Sequence, residues 1–320
     1  MRKLFQILLL IAIVNVAFLS GCKISNEDPA PNDNFATLTN YMASNSMDLS
    51  DILSSWIVAA PTAVNDVQVF VDNYYIIDLR SAADFAVGHI QGAVNSTFGN
   101  VLATASGASK PILVVCYTGQ TAGHAVVALR LSGYSDAVVL KWGMSGWNSS
   151  TAGSWNGNIG DAAVGHANWS ETNTIKSSES FEFPSISSSA TDGAGILAER
   201  VALLLTGGFK AVGNSDVLDS PSNYQINNFW AETDVDHYGH ITGAYRINPL
   251  SLANINSMDP SKTVVTYCWT GQTSSMVTAY LTVLGYNATS LKFGTNGMIY
   301  SKLESHQFVT PAVDLPLAQN

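Results

Sequence analysis

The segment VVCYTGQTA at residues 114–122 returns as TYCWTGQTS at residues 266–274. Both follow one pattern: Cys, aromatic, Thr, Gly, Gln, Thr, small residue. The agreement runs on at the same spacing, with Leu129, Gly133 and Tyr134 matched by Leu281, Gly285 and Tyr286. Leu140-Lys141-Trp142-Gly143 then matches Leu291-Lys292-Phe293-Gly294, one residue out of step. Upstream, GHIQGA from Gly88 returns as GHITGA from Gly239. A chain that contains itself twice must solve the same folding problem twice, so the repeat constrains the architecture more than any composition figure. The economical reading is a duplicated domain of roughly 120 residues.

Each copy alternates short apolar runs with helical spacing. Residues 75–79 and 111–115 read as buried strands, the second opened by a break at Lys110-Pro111. Residues 122–131 have helical spacing, with Gly133 as the expected C-terminal stop. Residues 137–140 are strand-like again. In the second copy, 263–267 is the strand before Cys268, 274–284 the helix after it, and 196–205 the opening helix. This alternation predicts an α/β fold, each copy a mainly parallel sheet flanked by helices. We place the first domain at 35–148 and the second at 191–310. The stretch 149–190, rich in Ser, Gly, Asn, Thr and Ala, reads as linker and loops, with Trp155 and Trp169 marking parts that pack.

The chain is 47% hydrophobic and 12% charged, a globular composition. A formal net charge of -10 and the lack of any Lys/Arg run argue against a nucleic-acid partner. Residues 1–21 read as a targeting segment: Arg2 and Lys3, then an apolar stretch 4–18 interrupted only by Gln6 and Asn15. That stretch falls short of the ~20 residues a membrane-spanning helix needs. Leu19-Ser20-Gly21-Cys22 resembles a bacterial lipobox, which implies cleavage before Cys22 and lipid attachment to its sulfur. Residues 22–34, polar and holding Pro29 and Pro31, then read as a tether. The expectation is a lipid-anchored protein facing the periplasm, with the outer membrane favoured by Lys23, or the cell surface.

Of the three cysteines, lipidation of Cys22 leaves Cys116 and Cys268. In an exported protein these can pair as a disulfide. Their surroundings suggest reactive thiols instead. Each sits where a buried strand ends and a helix begins, so loop N–H groups and the helix N-terminus face the sulfur and favour thiolate, lowering the thiol pKa. Gly119 and Gly271 give the loop the freedom to curl. Thr121 and Thr273 can donate to the sulfur or cap the helix.

These loops resemble the active-site loop of the rhodanese family, typically Cys-x-x-Gly-x-Thr/Arg on a strand-to-helix turn. Asp78-Leu79-Arg80 resembles that family's Asp-x-Arg, Gly88-His89-Ile90-Gln91-Gly92-Ala93 its Gly-His-Ile-x-Gly-Ala, and residues 140–147 its Gly- and Trp-containing closing segment. The resemblance implies a sulfurtransferase in which Cys116 and Cys268 carry sulfur as a persulfide, taken from a small sulfur donor and passed to a thiol acceptor, with no metal or organic cofactor. It assigns loop and substrate contacts to Tyr117, Thr118, Gly119, Gln120 and Thr121, and to Trp269, Thr270, Gly271, Gln272 and Thr273. Asp78 and Arg80 become a supporting pair. His89 and His240 are expected to make structural hydrogen bonds, and Trp142 and Trp147 to be core. His124, His166, His237 and His306 show no metal-ligand spacing.

The chain departs from the family in two ways. The basic residues that thiosulfate-using members carry after the Cys are replaced by Tyr117-Thr118 and Trp269-Thr270. Counting back from His240 puts Phe229 and Ala231 where the first copy has Asp78 and Arg80. A related phosphatase or arsenate reductase would need Arg six residues after the Cys, where Ala122 and Ser274 stand, which argues against that class. A non-catalytic lipoprotein that binds a sulfur species or a protein partner through these domains stays open.

Overall fold

A computed structural model describes residues 33–172, 175–176 and 178–319. The 1–21 segment, Cys22 and the tether through residue 32 lie outside the described residues.

The first copy supplies β1 (Ile57–Val58), β2 (Tyr75–Asp78), β3 (Val94–Asn95), β4 (Ile112–Val115) and β5 (Val138–Leu140). They form one sheet in the order β1-β5-β4-β2-β3. After β6 (Trp169–Ser170), the second copy supplies β7 (Ala211–Val212), β8 (Tyr224–Asn228), β9 (His240–Ile241), β10 (Tyr245–Arg246), β11 (Thr263–Tyr267) and β12 (Ala288–Leu291). Its sheet runs β10-β8-β11-β12-β7, the same order read from the other edge. Every pairing within both sheets is parallel. The chain is therefore two parallel-sheet α/β domains of one topology. β4, Ile-Leu-Val-Val, is buried throughout, as a central parallel strand covered on both faces must be.

Six helices carry the rest of the argument: α1 (Asn34–Ser44), α2 (Ala82–Val87), α3 (Gln120–Leu131), α4 (Gly193–Gly207), α5 (Glu232–Tyr238) and α6 (Gln272–Val283). α3 and α6 follow the two cysteine loops and pack against each other. Only Thr121 in α3 and Thr273 in α6 escape burial. They touch where Gly123 meets Ser275, so closely that a Cβ at Gly123 would lie 2.3 Å from the Ser275 Oγ. A surface helix would show a polar face; these two are covered by their own sheets and by each other, so their apolar and small residues run all round. One continuous core includes Val114 and Leu129 of the first copy and Val264, Leu281 and Tyr286 of the second.

The chain also crosses between copies at its ends. α1 packs on α4, with Phe35 stacked on Phe183 at 4.7 Å and Asn34 Nδ2 donating to the Ile186 carbonyl. Past the second copy, the tail returns to the first: Ala318 exchanges backbone hydrogen bonds with His89, and Leu315 N donates to the Trp147 carbonyl. Between the copies, Trp155 is fully buried, and β6 pairs antiparallel with β9.

His124 on α3 is fully buried beside Phe98 and Phe209, its Nε2 accepting from Lys210 N at 3.5 Å. Burial, with a smaller push from Lys210, lowers its pKa to about 3. The unfolded chain binds a proton near pH 6.5 that the folded one refuses until about 3, so stability falls as pH drops through that window. By pH 5 the loss is roughly 2 kcal/mol. Urea denaturation of the wild type and of His124→Leu should diverge below pH 6.5, with the variant curve flatter. Parallel pH profiles would remove His124 as the cause.

Candidate functional site

Both cysteines stand at the carboxyl ends of their central strands, the edge where ligands of open parallel sheets bind. Cys116 follows β4 and Cys268 follows β11. Neither is in a disulfide, and both are buried. Each loop closes through a glycine in the left-handed region, Gly119 at φ +83° and Gly271 at φ +74°, which passes the chain directly into the helix.

In the first loop the sulfur of Cys116 accepts from Gly119 N at 3.1 Å and from Ala122 N at 3.4 Å. In the second, Cys268 Sγ accepts from Ser274 N at 3.3 Å. It also lies 3.6 Å from the Ser274 hydroxyl, which sits 2.9 Å from that of Ser290. The curl of N–H groups around sulfur anticipated from the motif is present in the first copy. Its expected electrostatic result is not: burial pushes the Cys116 thiol up, outweighing the N–H groups of Ala122, Thr118 and Gly119 that pull it down, and Asp78 adds to the rise. Partial charges on three amides do not offset removing the sulfur from water, and the loop carries no cation of its own.

Two further expectations change. Thr121 and Thr273 are not among the sulfur's partners; the hydroxyls of Thr118 and Thr270 accept instead from Gln120 N and Gln272 N at the helix starts. Nor are Phe229 and Ala231 the counterparts of Asp78 and Arg80. Asp78 pairs with Val115, the residue before Cys116, and Asn228 pairs with Tyr267, the residue before Cys268. The second copy therefore holds Asn228 and Trp230 at these places. In the first copy, Arg80 Nη2 lies 2.7 Å from Asp78 Oδ2 and donates to the Gly88 carbonyl at 2.7 Å. His89 Nδ1 lies 2.9 Å from the Phe85 carbonyl, and His240 Nδ1 2.9 Å from that of Ile241.

A turn after the last strand pins each loop. Met144 N donates to the Cys116 carbonyl and Thr295 N to that of Cys268. Ser145 N and Asn296 N do the same for Tyr117 and Trp269. Trp142 and Phe293 occupy equivalent left-handed positions, φ +66° and +61°. Around them gathers an aromatic cluster, with Trp155 edge-on to both Trp142 and Phe293 and stacked on Phe308. Trp147 is fully buried. Ser290 and Phe308 carry no local motif; Trp155 and Phe308 arrive from the inter-copy stretch and from beyond the second sheet.

The loops differ in what covers them. Tyr117 is partly exposed, its hydroxyl donating to Asp84 and accepting from Ser81 N. Beside it opens a cleft of about 340 Å³ lined by Arg80, Asp84, Gly88, Tyr117, Ser154 and Leu317, among others. Ser81 and Tyr117 hold the Asp84 carboxyl below its ordinary pKa. Trp269 instead is packed under rings: stacked on His306 at 4.9 Å, against Trp230 at 4.4 Å and edge-on to Tyr238. Among the described residues, no group of three or more His, Cys, Asp or Glu side chains is placed to hold a metal.

The model of the rhodanese-like domain family matches residues 63–150 and 219–299, together more than half of the chain. Among curated proteins, the thiosulfate sulfurtransferase GlpE of Shewanella oneidensis is 34% identical over 79 residues, 24% of this chain and 78% of that protein. The uncharacterized protein YibN of Escherichia coli is 34% identical over 77 residues, 22% of this chain and 54% of that one. The chain thus spans about half the length of this second relative. Among solved structures, a thiosulfate sulfurtransferase from Pseudomonas aeruginosa aligns over 89% of this chain and 49% of its own at 15% identity, TM-score 0.29. SseA from Escherichia coli, a 3-mercaptopyruvate sulfotransferase, aligns over 74% and 97% at 15% identity, TM-score 0.28.

Proposed function

The chain belongs to the rhodanese-like domain family, and from that premise we propose that it is a sulfurtransferase carrying sulfane sulfur as a persulfide on Cys116. The observation that carries this reading is the Cys116 sulfur at the head of α3, receiving the Gly119 and Ala122 amides, with the next residue, Tyr117, lining an open cleft. The Cys116 thiolate attacks the transferable sulfur of the donor; a new S–S bond forms, the donor's bond to that sulfur breaks (S–S in thiosulfate or polysulfide, C–S in mercaptopyruvate), and the leaving group departs with the electron pair. The persulfide's negative charge falls among the loop amides. An acceptor thiolate then attacks the outer sulfur and releases Cys116 as thiolate. The loop's lack of cations, with Arg80 already paired to Asp78 and Asp84 lining the same cleft, disfavours a dianion and suits a donor of low charge.

Incubating the purified protein with thiosulfate, mercaptopyruvate and polysulfide separately, followed by intact-mass spectrometry, tests this. Polysulfide should add ~32 Da, one sulfur atom, and the gain should vanish in Cys116→Ser. Because burial raises the Cys116 thiol, loading should keep climbing with pH through and past the ordinary thiol range near 8.5. No adduct from any donor, while Cys116 still alkylates, would defeat the reading.

One observation favours a second, binding role for the other copy: Trp269, the residue after Cys268, is packed against Trp230, Tyr238 and His306, where its counterpart Tyr117 lines an open cleft. Loading at Cys268 should accordingly be slower than at Cys116. We further propose lipid attachment at Cys22 and an envelope location, on the strength of the Leu-Ser-Gly-Cys tetrapeptide after an apolar stretch. Cells fed labelled palmitate should label the wild type and not Cys22→Ala.

A further inference from the structure

The Gln of each Cys-aromatic-Thr-Gly-Gln-Thr motif reaches across to the other copy. Gln272 Nε2 donates to the Thr118 carbonyl at 3.2 Å, and Gln120 Oε1 accepts from Phe293 N at 3.0 Å. Each lies against the opposite loop's glycine: a Cβ at Gly119 would meet Gln272 Nε2 at 1.9 Å, and one at Gly271 would meet Gln120 Oε1 at 2.5 Å. Both glutamines are buried, so neither amide has water as an alternative partner.

The target of Gln272 matters because a peptide unit is planar and trans. The Thr118 carbonyl and the Gly119 N–H belong to one peptide and point in opposite directions. Holding that oxygen aims that N–H, and the Gly119 N–H is the shorter of the two donors to the Cys116 sulfur. Trp155 Nε1, from the inter-copy stretch, donates to the same oxygen at 3.2 Å. The first loop's own residues supply no side-chain donor to this carbonyl. Gln120 acts on the second copy differently. Its Nε2 is engaged by the Thr118 hydroxyl at 3.2 Å, which leaves Oε1 facing the Phe293 amide. Phe293 leads into Gly294, which packs against the Cys268 carbonyl.

We infer that Gln272 is a positioning residue for the opposite copy: from the second domain it orients the Thr118–Gly119 peptide, and so the amide that faces the Cys116 sulfur. Gln120 has the reciprocal role through the turn that pins the Cys268 loop. The two cysteine loops are then one coupled unit, and the part played in sulfur transfer rests on the reading of Cys116 given above.

Peptide-resolved alkylation of the full chain across pH separates the two cysteines and needs no sulfur donor. In Gln272→Met, which keeps the length and loses the donor, the pH midpoint for Cys116 should rise by about one unit, the worth of one oriented amide. The Cys268 midpoint should stay in place. Gln272→Ala should give the same shift, and sulfur loading of Cys116 at neutral pH should fall about tenfold in both variants. Should the Met variant leave the Cys116 midpoint unmoved, or move both cysteines equally, the glutamine merely fills space between domains and the inference is overturned. A shifted midpoint in a protein whose wild type never loads sulfur would keep the inference and defeat the transferase reading.

Discussion

Replacing Arg80 with alanine is expected to destabilise the fold by about 3 to 5 kcal/mol, because it leaves a carboxylate buried without its counter-charge. Asp78 is 1% exposed and Arg80 4%. Arg80 Nε lies 3.1 and 3.0 Å from the two Asp78 oxygens, and Nη2 binds both Asp78 and the Gly88 carbonyl. Of these bonds, only the Arg80 backbone N–H to Asp78, at 2.9 Å, survives the truncation. The pair as a whole is another matter, since exchanging both members of a buried ion pair for uncharged groups is often neutral. Asp78→Asn combined with Arg80→Met should recover most of the loss. The second copy already holds the uncharged version, with Asn228 Nδ2 donating to the Tyr267 hydroxyl at 2.7 Å and Trp230 in the place of Arg80. Urea denaturation of the single and double variants checks this; a single variant within 1 kcal/mol of wild type would mean that water reaches the carboxylate.

Gly143→Ala should cost about 3 kcal/mol and also disable the first loop. Two effects add: a left-handed backbone, φ +60°, costs ~1–2 kcal/mol with a Cβ, and overpacking typically another 1–3. The new methyl would lie 2.3 Å from the Cys116 carbonyl oxygen and 2.7 and 2.8 Å from the amides of Gly119 and Thr118. All three are backbone atoms of the loop, so relief requires the loop to move and its amides to leave the sulfur. Gly133→Ala supplies the control, since its φ is +96° but no atom lies within 4 Å of the added methyl. It should cost only the backbone strain and leave Cys116 alkylation unchanged. Equal losses for the two variants would show that the turn yields without disturbing the loop.

Much of this was legible locally. Strand β11 has the bounds 263–267 read from its β-branched run. The parallel α/β architecture follows from the alternation of short apolar runs and helices. α3 and α6 start two residues before their apolar spacing shows, because Gly119 and Gly271 turn the chain into the helix directly and the polar Gln120 and Gln272 hide the first turn. The counterparts of Asp78 and Arg80 were missed by one residue, since α5 has seven residues where α2 has six and counting back from His240 inherits the insertion. The direction of the Cys116 pKa is not legible in the motif, which displays the donors around a sulfur but not the depth at which the fold buries it. The reach of Gln272 lay beyond any local reading, because its partner belongs to the other copy.

The crossed ends of the chain set the order in which it can fold. α1 leaves the ribosome well before α4, which it packs on and which follows some 150 residues later. The first copy then forms without Ala318, which bridges to His89, and without Leu317, which walls the cleft beside Tyr117. A nascent chain halted within the inter-copy stretch would therefore lack the partner of the His89 backbone and display a half-built cleft. Closure waits for residues 315–318 to emerge, so the first cleft cannot be complete until the whole second copy has been made.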